Sequence, residues 1–272
     1  MGAITMIDDG KFPILGVHVN AIDYEAAVSK IIAAAQQRTP LSVTALAVHG
    51  VMEGSFDSAM RTRMNALDLV CPDGQPVRWA LHLLHGKRLP DRVYGPNLTL
   101  QVCAAAAEQG LPIFLYGSHS AVLDNLTRKL TDQYRSLQIA GKLPSLFRRA
   151  TPAERNERNQ QIRDSGARIV LVGLGCPRQE VWAYENTRAL SMPTLAVGAA
   201  FDFHAGTLMQ APATLQKLGL EWLFRLSKEP NRLWKRYVLL NPKYILFILR
   251  QALGIQDFDL ASLSPPPDEL YA

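Results

Sequence analysis

The fifteen residues Arg168–Trp182, RIVLVGLGCPRQEVW, decide the architecture. Ile169–Val172 is a short apolar run rich in β-branched residues, the composition of a strand covered on both faces. Gly173 and Gly175 then permit a tight turn with close backbone approach, and Pro177 suits the first turn of a helix. Outward from this unit the same grammar recurs. Leu41–His49, Leu67–Cys71, Pro112–Tyr116 and Thr194–Val197 read as further strands, while Tyr24–Gln37, Leu98–Glu108, Ala121–Gln133 and Pro152–Ser165 carry helical periodicity. Strand, loop and helix in alternation predict an α/β fold, a Rossmann-like parallel sheet with helices on both faces. In such sheets ligands bind beyond the carboxyl ends of the strands.

The composition supports a large core. Of 272 residues, 48% are hydrophobic and 19% charged, which excludes wholesale disorder. Cys71, Cys103 and Cys176 stand far apart with no CxxC pair. That excludes a disulfide scaffold and a zinc ribbon, and suits a reducing cytoplasm. The opening MGAITMIDDGKFPILGV carries Asp8 and Asp9 and lacks a long apolar region, so it is a poor signal peptide. No uncharged apolar run reaches the roughly 18 residues of a spanning helix, so any membrane attachment is expected at the surface.

The charge is uneven. The chain carries +5 overall, yet from Lys217 to Arg250 eight basic residues face two acidic ones, so the rest is about neutral. Trp222, Phe224, Trp234, Tyr237, Tyr244 and Phe247 are interleaved with them. That composition suits a helix lying on anionic lipid or gripping phosphates, and equally a solvated helical face packed on a core. Nucleic acid is not expected, since no RNP, zinc-finger or helix-turn-helix pattern accompanies the charge. Pro212, Pro230 and Pro242 cut the region into short helices. The expected organisation is a core over residues 1–210, a basic helical appendage over 211–255, and a disordered tail over 256–272, where SPPPDE begins at Ser264.

Candidate site residues follow from strand ends. Asp73, between Pro72 and Gly74, follows the run LDLVCP and is placed to act as a general base, although Pro-Asp-Gly also makes turns and helix caps. Thr44, His49 and Asp202 lie in or after other predicted strands, Arg92 follows in LPDRVYGPNL, and His119 follows the strand PIFLYG. Gly173 and Gly175 are similar to a dinucleotide loop, but Arg178 stands where the third glycine of that motif belongs. A nucleotide-dependent Rossmann oxidoreductase and a non-enzymatic peripheral membrane adaptor are two readings these features leave open.

Taken in order, VTAL (43–46), PDGQPV (72–77), RVYGPNL (92–98), LPIFLYG (111–117), VGLGCPRQEVW (172–182), VGAAFDFHAG (197–206), QAP (210–212) and LEWLFRLSKEPNRLWKRY (220–237) resemble the WecG/TagA/CpsF family of bacterial glycosyltransferases. The resemblance spans roughly residues 14 to 250. It implies an inverting enzyme that moves a sugar from a UDP-sugar, a UDP-hexose or UDP-N-acetylmannosamine, onto a polyprenyl-diphosphate-linked saccharide. The setting it implies is exopolysaccharide or other cell-surface polysaccharide synthesis. The protein would sit in the cytoplasm, peripheral on the inner membrane face against an anionic surface, with no metal or other cofactor. A homo-oligomer stays open.

Carried across by residue, the resemblance makes Asp73 the catalytic base. It puts Thr44, Arg92, Gly175, Gln179, Glu180 and Asp202 around the donor, and brings Arg225, Arg232 and Arg236, beside Lys235, over the diphosphate. Two departures stand out: Leu46 where the family often has Asn, and Ser118 where a second glycine is common. Leu46 removes an amide near the sugar, and so favours a plain hexose over N-acetylmannosamine.

Overall fold

A computed structural model of the chain describes residues 6–255 and 265–272, apart from the side chains of Ala213, Lys217, Arg232, Lys235 and Arg236. Eight strands run β1 (Asp8–Ile14), β2 (Val17–Ile22), β3 (Leu41–Leu46), β4 (Leu69–Pro72), β5 (Ile113–Gly117), β6 (Ile139–Leu143), β7 (Ile169–Gly173) and β8 (Pro193–Ala196). The helices of the core are α1 (Tyr24–Gln37), α2 (Val48–Phe56), α3 (Ser58–Ala66), α4 (Gln75–His85), α5 (Gly95–Glu108), α6 (Ser120–Gln133), α7 (Pro152–Asp164), α8 (Arg178–Leu190) and α9 (Ala200–Ala205). After them come α10 (Ala213–Lys217), α11 (Glu221–Lys228), α12 (Pro230–Trp234), a π-helical turn (Lys235–Leu240) and α13 (Asn241–Ala252).

Six strands form a parallel sheet in the order β4-β3-β8-β7-β5-β6, and β1 and β2 form a separate antiparallel hairpin. The parallel sheet flanked by helices is the fold expected from the sequence. Alternate residues of one strand feed opposite layers. Val43 belongs to the apolar cluster that holds Leu98, Val102 and Ile31 on one face, while Leu46 belongs to the one that holds Val51, Met52 and Val77 on the other. Both faces are therefore apolar, which is why these strands read as continuous hydrophobic runs.

Some boundaries move. The run Leu41–His49 stops being strand at Leu46, and His49 belongs to α2. β1 and β6 carry mixed, half-exposed patterns, which leave no continuous run to find. Pro212 caps α10, Pro230 opens α12 and Pro242 lies in the first turn of α13, as the proline punctuation indicates. The expectation of a disordered end does not hold for residues 265–272. Arg149 and Tyr271 form a β-bridge there, and the Ala150 amide donates to the Leu270 carbonyl at 2.8 Å. The proline-rich composition hid acidic and backbone groups that find partners on the core. The rest of that expected segment, 256–264, lies outside the described residues. Among the described residues no helix is long and apolar enough to cross a membrane.

The turn after β5 shows how tightly the strand ends pack. Gly117 has φ +106°, and a Cβ there would stand 2.7 Å from the Gly173 carbonyl oxygen of β7. Both the backbone conformation and the contact demand glycine. Gly117→Ala is expected to lower stability by about 2–4 kcal/mol, read as a lower urea midpoint at unchanged slope.

Candidate active site

The carboxyl ends of β3, β4, β5, β7 and β8 open into one cleft of about 440 Å³. Ala47, Asp73, His119, Gly175 and Gly198 mark those five strand ends in its wall, and Asp202, Phe203 and Arg225 close the far side. A narrower slot of about 130 Å³ lies between the start of α4 and the appendage, lined by Gln75, Arg92, Glu221, Trp222 and Tyr237. Ala47, Asp73, Tyr94 and Arg225 belong to both spaces. Asp73 is thus the carboxylate at their junction.

Its position is built from the sheet outward. The Asp73 amide donates to the Leu46 carbonyl at 3.1 Å, and the Val93 amide to the Pro72 carbonyl at 2.9 Å, so the loop is fixed on both sides. Gly74, at φ +96°, turns the chain into α4. The Asp73 side chain, 17% exposed, accepts from the Gly95 amide at the start of α5 at 3.4 Å and stands 4.0 Å from the Arg92 guanidinium. Burial pushes its carboxyl up to about 7; Arg92 pulls it back down, and the nearby charge of Glu221 raises it further. Such a group changes protonation near neutrality, as a general base should.

Glu221 is the residue that the sequence reading missed. From α11 its two oxygens accept from Arg92 Nη2 at 2.6 Å and from the Tyr94 hydroxyl at 2.9 Å. The Arg92 guanidinium also lies over the Tyr94 ring at 4.2 Å and donates to Gln216 at 3.2 Å. Arg92 is therefore no loose surface side chain, but the link between Asp73 and the appendage. The signal was present in LEW (220–222), where Glu221 counted only as one of two acids in a basic stretch.

Arg225 reaches the same place from the next turn of α11. Its guanidinium sits 5.6 Å from the centre of the Phe203 ring, and its Nε is buried without a hydrogen-bond partner. A buried donor left unmatched costs free energy, which an anion in the cleft would recover.

The other expected residues divide. Gly175, Gln179, Glu180 and Asp202 border the cleft with Asp73 and Arg225, and Arg92 borders the slot. Thr44 borders neither. It is fully buried in the middle of β3's pairing with β4 and β8, and its hydroxyl donates to Glu180 at 2.9 Å. Its hydroxyl is engaged by Glu180, two residues short of the end of β3. Gln179 is also turned inward: its Oε1 accepts from the Gly175 amide at 3.1 Å and its Nε2 donates to Glu180 at 2.9 Å. A dinucleotide loop presents its glycine amides to pyrophosphate, whereas here Gln179 already engages that of Gly175. Glu180 is fully buried, and burial holds its carboxyl above the usual range. Asp202 lies on α9 rather than at a strand end, where it accepts from the Thr207 hydroxyl at 3.1 Å. Leu46 is buried in the core beside the cleft. The side chains of Arg232 and Arg236 lie outside the described residues. Among the described residues no three His, Cys, Asp or Glu gather to hold a metal ion.

Two outcomes follow from the elevated Asp73. In the folded state it holds its proton up to about pH 7. Between about pH 4 and 7 the folded state thus binds more protons than the unfolded state, and stability falls as pH rises through that window. Asp73→Asn removes this penalty. It should raise stability at pH 8 by on the order of 1–4 kcal/mol and leave it nearly unchanged at pH 4, read by denaturant melts. Glu221→Gln removes a charge that raises Asp73 and leaves Arg92 to Asp73 alone. The Asp73 titration, followed by carboxyl-carbon NMR, should move to lower pH.

A family model described as Glycosyl transferase WecG/TagA/CpsF family matches residues 12–257.

Proposed function

The chain belongs to the WecG/TagA/CpsF family of glycosyl transferases, and from that premise we propose that it moves a sugar, with inversion, from a UDP-sugar to a polyprenyl-diphosphate-linked saccharide. Membership favours this over an oxidoreductase or a non-enzymatic adaptor. One observation carries the residue assignments: Asp73 stands where the larger cleft meets the narrower slot, under Arg225. The cleft has the volume and the strand-end position for a nucleotide sugar. The slot, walled by Trp222 and Tyr237, then takes the acceptor's terminal sugar.

The chemistry follows. A sugar hydroxyl is a poor nucleophile at neutral pH; Asp73 takes its proton as the oxygen attacks the anomeric carbon from the face opposite the departing UDP. Negative charge gathers on the leaving diphosphate as the bond breaks. Arg225, with its unmatched Nε, supplies compensating charge in a partly dry setting, where it acts more strongly than in water. Arg232 and Arg236 are proposed to join it. Arg92 holds the base and the appendage in register. No metal is assigned to the reaction, and the donor is a UDP-hexose or UDP-N-acetylmannosamine. We favour a hexose because Leu46 stands in place of the Asn that the family often carries, and so offers no side-chain amide to an acetamido group.

The appendage is proposed to rest on the membrane that carries the acceptor. Ile245, Leu246 and Leu249 of α13 are half-exposed, and Leu253 is 73% exposed. Lys243 and Arg250 flank them on the same helix. Leucines and isoleucines facing water beside cations suit an anionic leaflet, where each Lys or Arg contributes about 1 kcal/mol.

Transfer from a panel of UDP-sugars to prenyl-diphosphate-linked glucose or N-acetylglucosamine, with products identified by mass, tests the reading. Asp73→Asn should lower kcat by about 10²- to 10⁴-fold, and Arg225→Ala should cost about 2–4 kcal/mol in barrier. Loss of less than about tenfold in the Asn variant would remove Asp73 as the base. Separately, Ile245→Gln, Leu246→Gln and Leu249→Gln together should release the protein from anionic vesicles while sparing transfer to a short-chain, soluble acceptor.

A further inference from the structure

Residues 265–272 lie beyond the stretch that the family model matches, yet they are fastened to the core by a dense set of bonds. The Glu185 carboxylate of α8 accepts the backbone amides of Glu269 at 2.6 Å and Leu270 at 3.1 Å. Buried Arg63 of α3 donates to the Pro267 carbonyl at 2.6 Å, Arg149 pairs with Glu269, and Arg155 pairs with Asp268. The last contacts fall on one loop. The Leu146 amide donates to the Ala272 carbonyl at 3.0 Å, and the Ser145 hydroxyl donates to the same oxygen at 2.7 Å.

That loop forms part of the cleft wall. The Ser145 amide donates to the Ser118 carbonyl at 3.0 Å, and the Ser118 amide to the Gly173 carbonyl at 2.9 Å, so the loop is continuous with the strand-end turns. Ser145 Oγ also accepts the Phe147 amide at 2.9 Å. Phe147 has φ +56°, a conformation an L side chain keeps only where its surroundings hold it. Its ring stacks on His119 with centroids 4.2 Å apart, and both rings border the cleft. Phe147, Leu174 and Arg178 line the cleft on one side and a smaller space against Tyr271 and Ala272 on the other.

We propose that residues 265–272 are an internal latch that positions the Ser145–Phe147 loop, and through it the His119–Phe147–Arg178 wall of the cleft, for the donor nucleotide sugar. The assignment to the donor rests on the function proposed above. The latch acts through Ser145: its hydroxyl ties Ala272 on one side to the strained Phe147 backbone on the other. Residues 265–272 touch no reacting atom, so their loss should weaken donor binding and leave the chemical step alone.

The experiment compares the full chain with a chain ending at Ser264, and with Ser145→Ala and Ser145→Thr, by donor-dependent initial rates and by amide hydrogen exchange over 145–150. The expected result for the truncated chain and for Ser145→Ala is a KM for the UDP-sugar raised about tenfold with kcat within about twofold, and faster exchange in the loop. Ser145→Thr, which keeps the hydroxyl, should restore the parent values. A peptide of sequence PPPDELYA added to the truncated chain should lower KM again. Unchanged donor KM, unchanged exchange, or a fall in kcat alone overturns the latch. If truncation impairs folding, the Ala and Thr variants at Ser145 decide. If the full chain transfers no sugar from any UDP-sugar, the proposed function fails, and the exchange comparison still decides whether residues 265–272 hold the loop.

Discussion

Arg92 holds the site together because it is asked to serve two carboxylates at once. One, Asp73, belongs to the sheet edge and stands 4.0 Å away; the other, Glu221, comes from the appendage and binds at 2.6 Å. All three side chains are largely withdrawn from water. Removing Glu221, the partner in hydrogen-bond contact, is the costly loss, typically about 3–5 kcal/mol for a buried ionic group left without its close partner, whereas the burial of Asp73 outweighs the pull of Arg92 on it. The helix that carries Glu221 is therefore drawn onto the core by the same residue that steadies Asp73. Glu221 takes the closer hold on Arg92, and Asp73 keeps a weaker share. That division, together with burial, leaves Asp73 near neutrality instead of in the usual carboxylate range.

Away from that triad, the polar residues mostly hold backbone in place. Thr44, Gln179 and Glu180 form a buried chain beneath the Gly173–Gly175 turn, with Gln179 bonded to Gly175 and to Glu180, and Thr44 to Glu180. Polar groups in a low-dielectric interior must find each other or forfeit their bonds to water. In doing so these three fix the shape of the cleft floor. Two buried atoms on residues that line the cleft keep unmatched capacity, Arg225 Nε and Glu180 Oε2.

The tail departs from what its composition suggests. Proline-rich composition suggested no structure, yet prolines only stiffen a chain; acidic side chains and free amides then find Arg63, Arg149, Arg155 and Glu185 on an already folded surface. A segment that cannot bury apolar area alone can still be ordered by complementary charge on a scaffold.

The parallel sheet and the location of the site at the strand ends were legible in one dimension, because both follow from local composition. Continuous apolar runs such as Ile169–Val172 require cover on both faces, and Gly173, Gly74 and Gly117 mark sharp exits from strands. Asp73 was legible too, since its flanking Pro72 and Gly74 place it at such an exit. What only the tertiary structure decided is which side chains meet across long separations. Glu221 reaches Arg92 across 129 residues and Thr44 reaches Glu180 across 136. Those partnerships depend on how helices close over the sheet, and no local pattern encodes the direction in which a buried side chain must turn to satisfy its bonds.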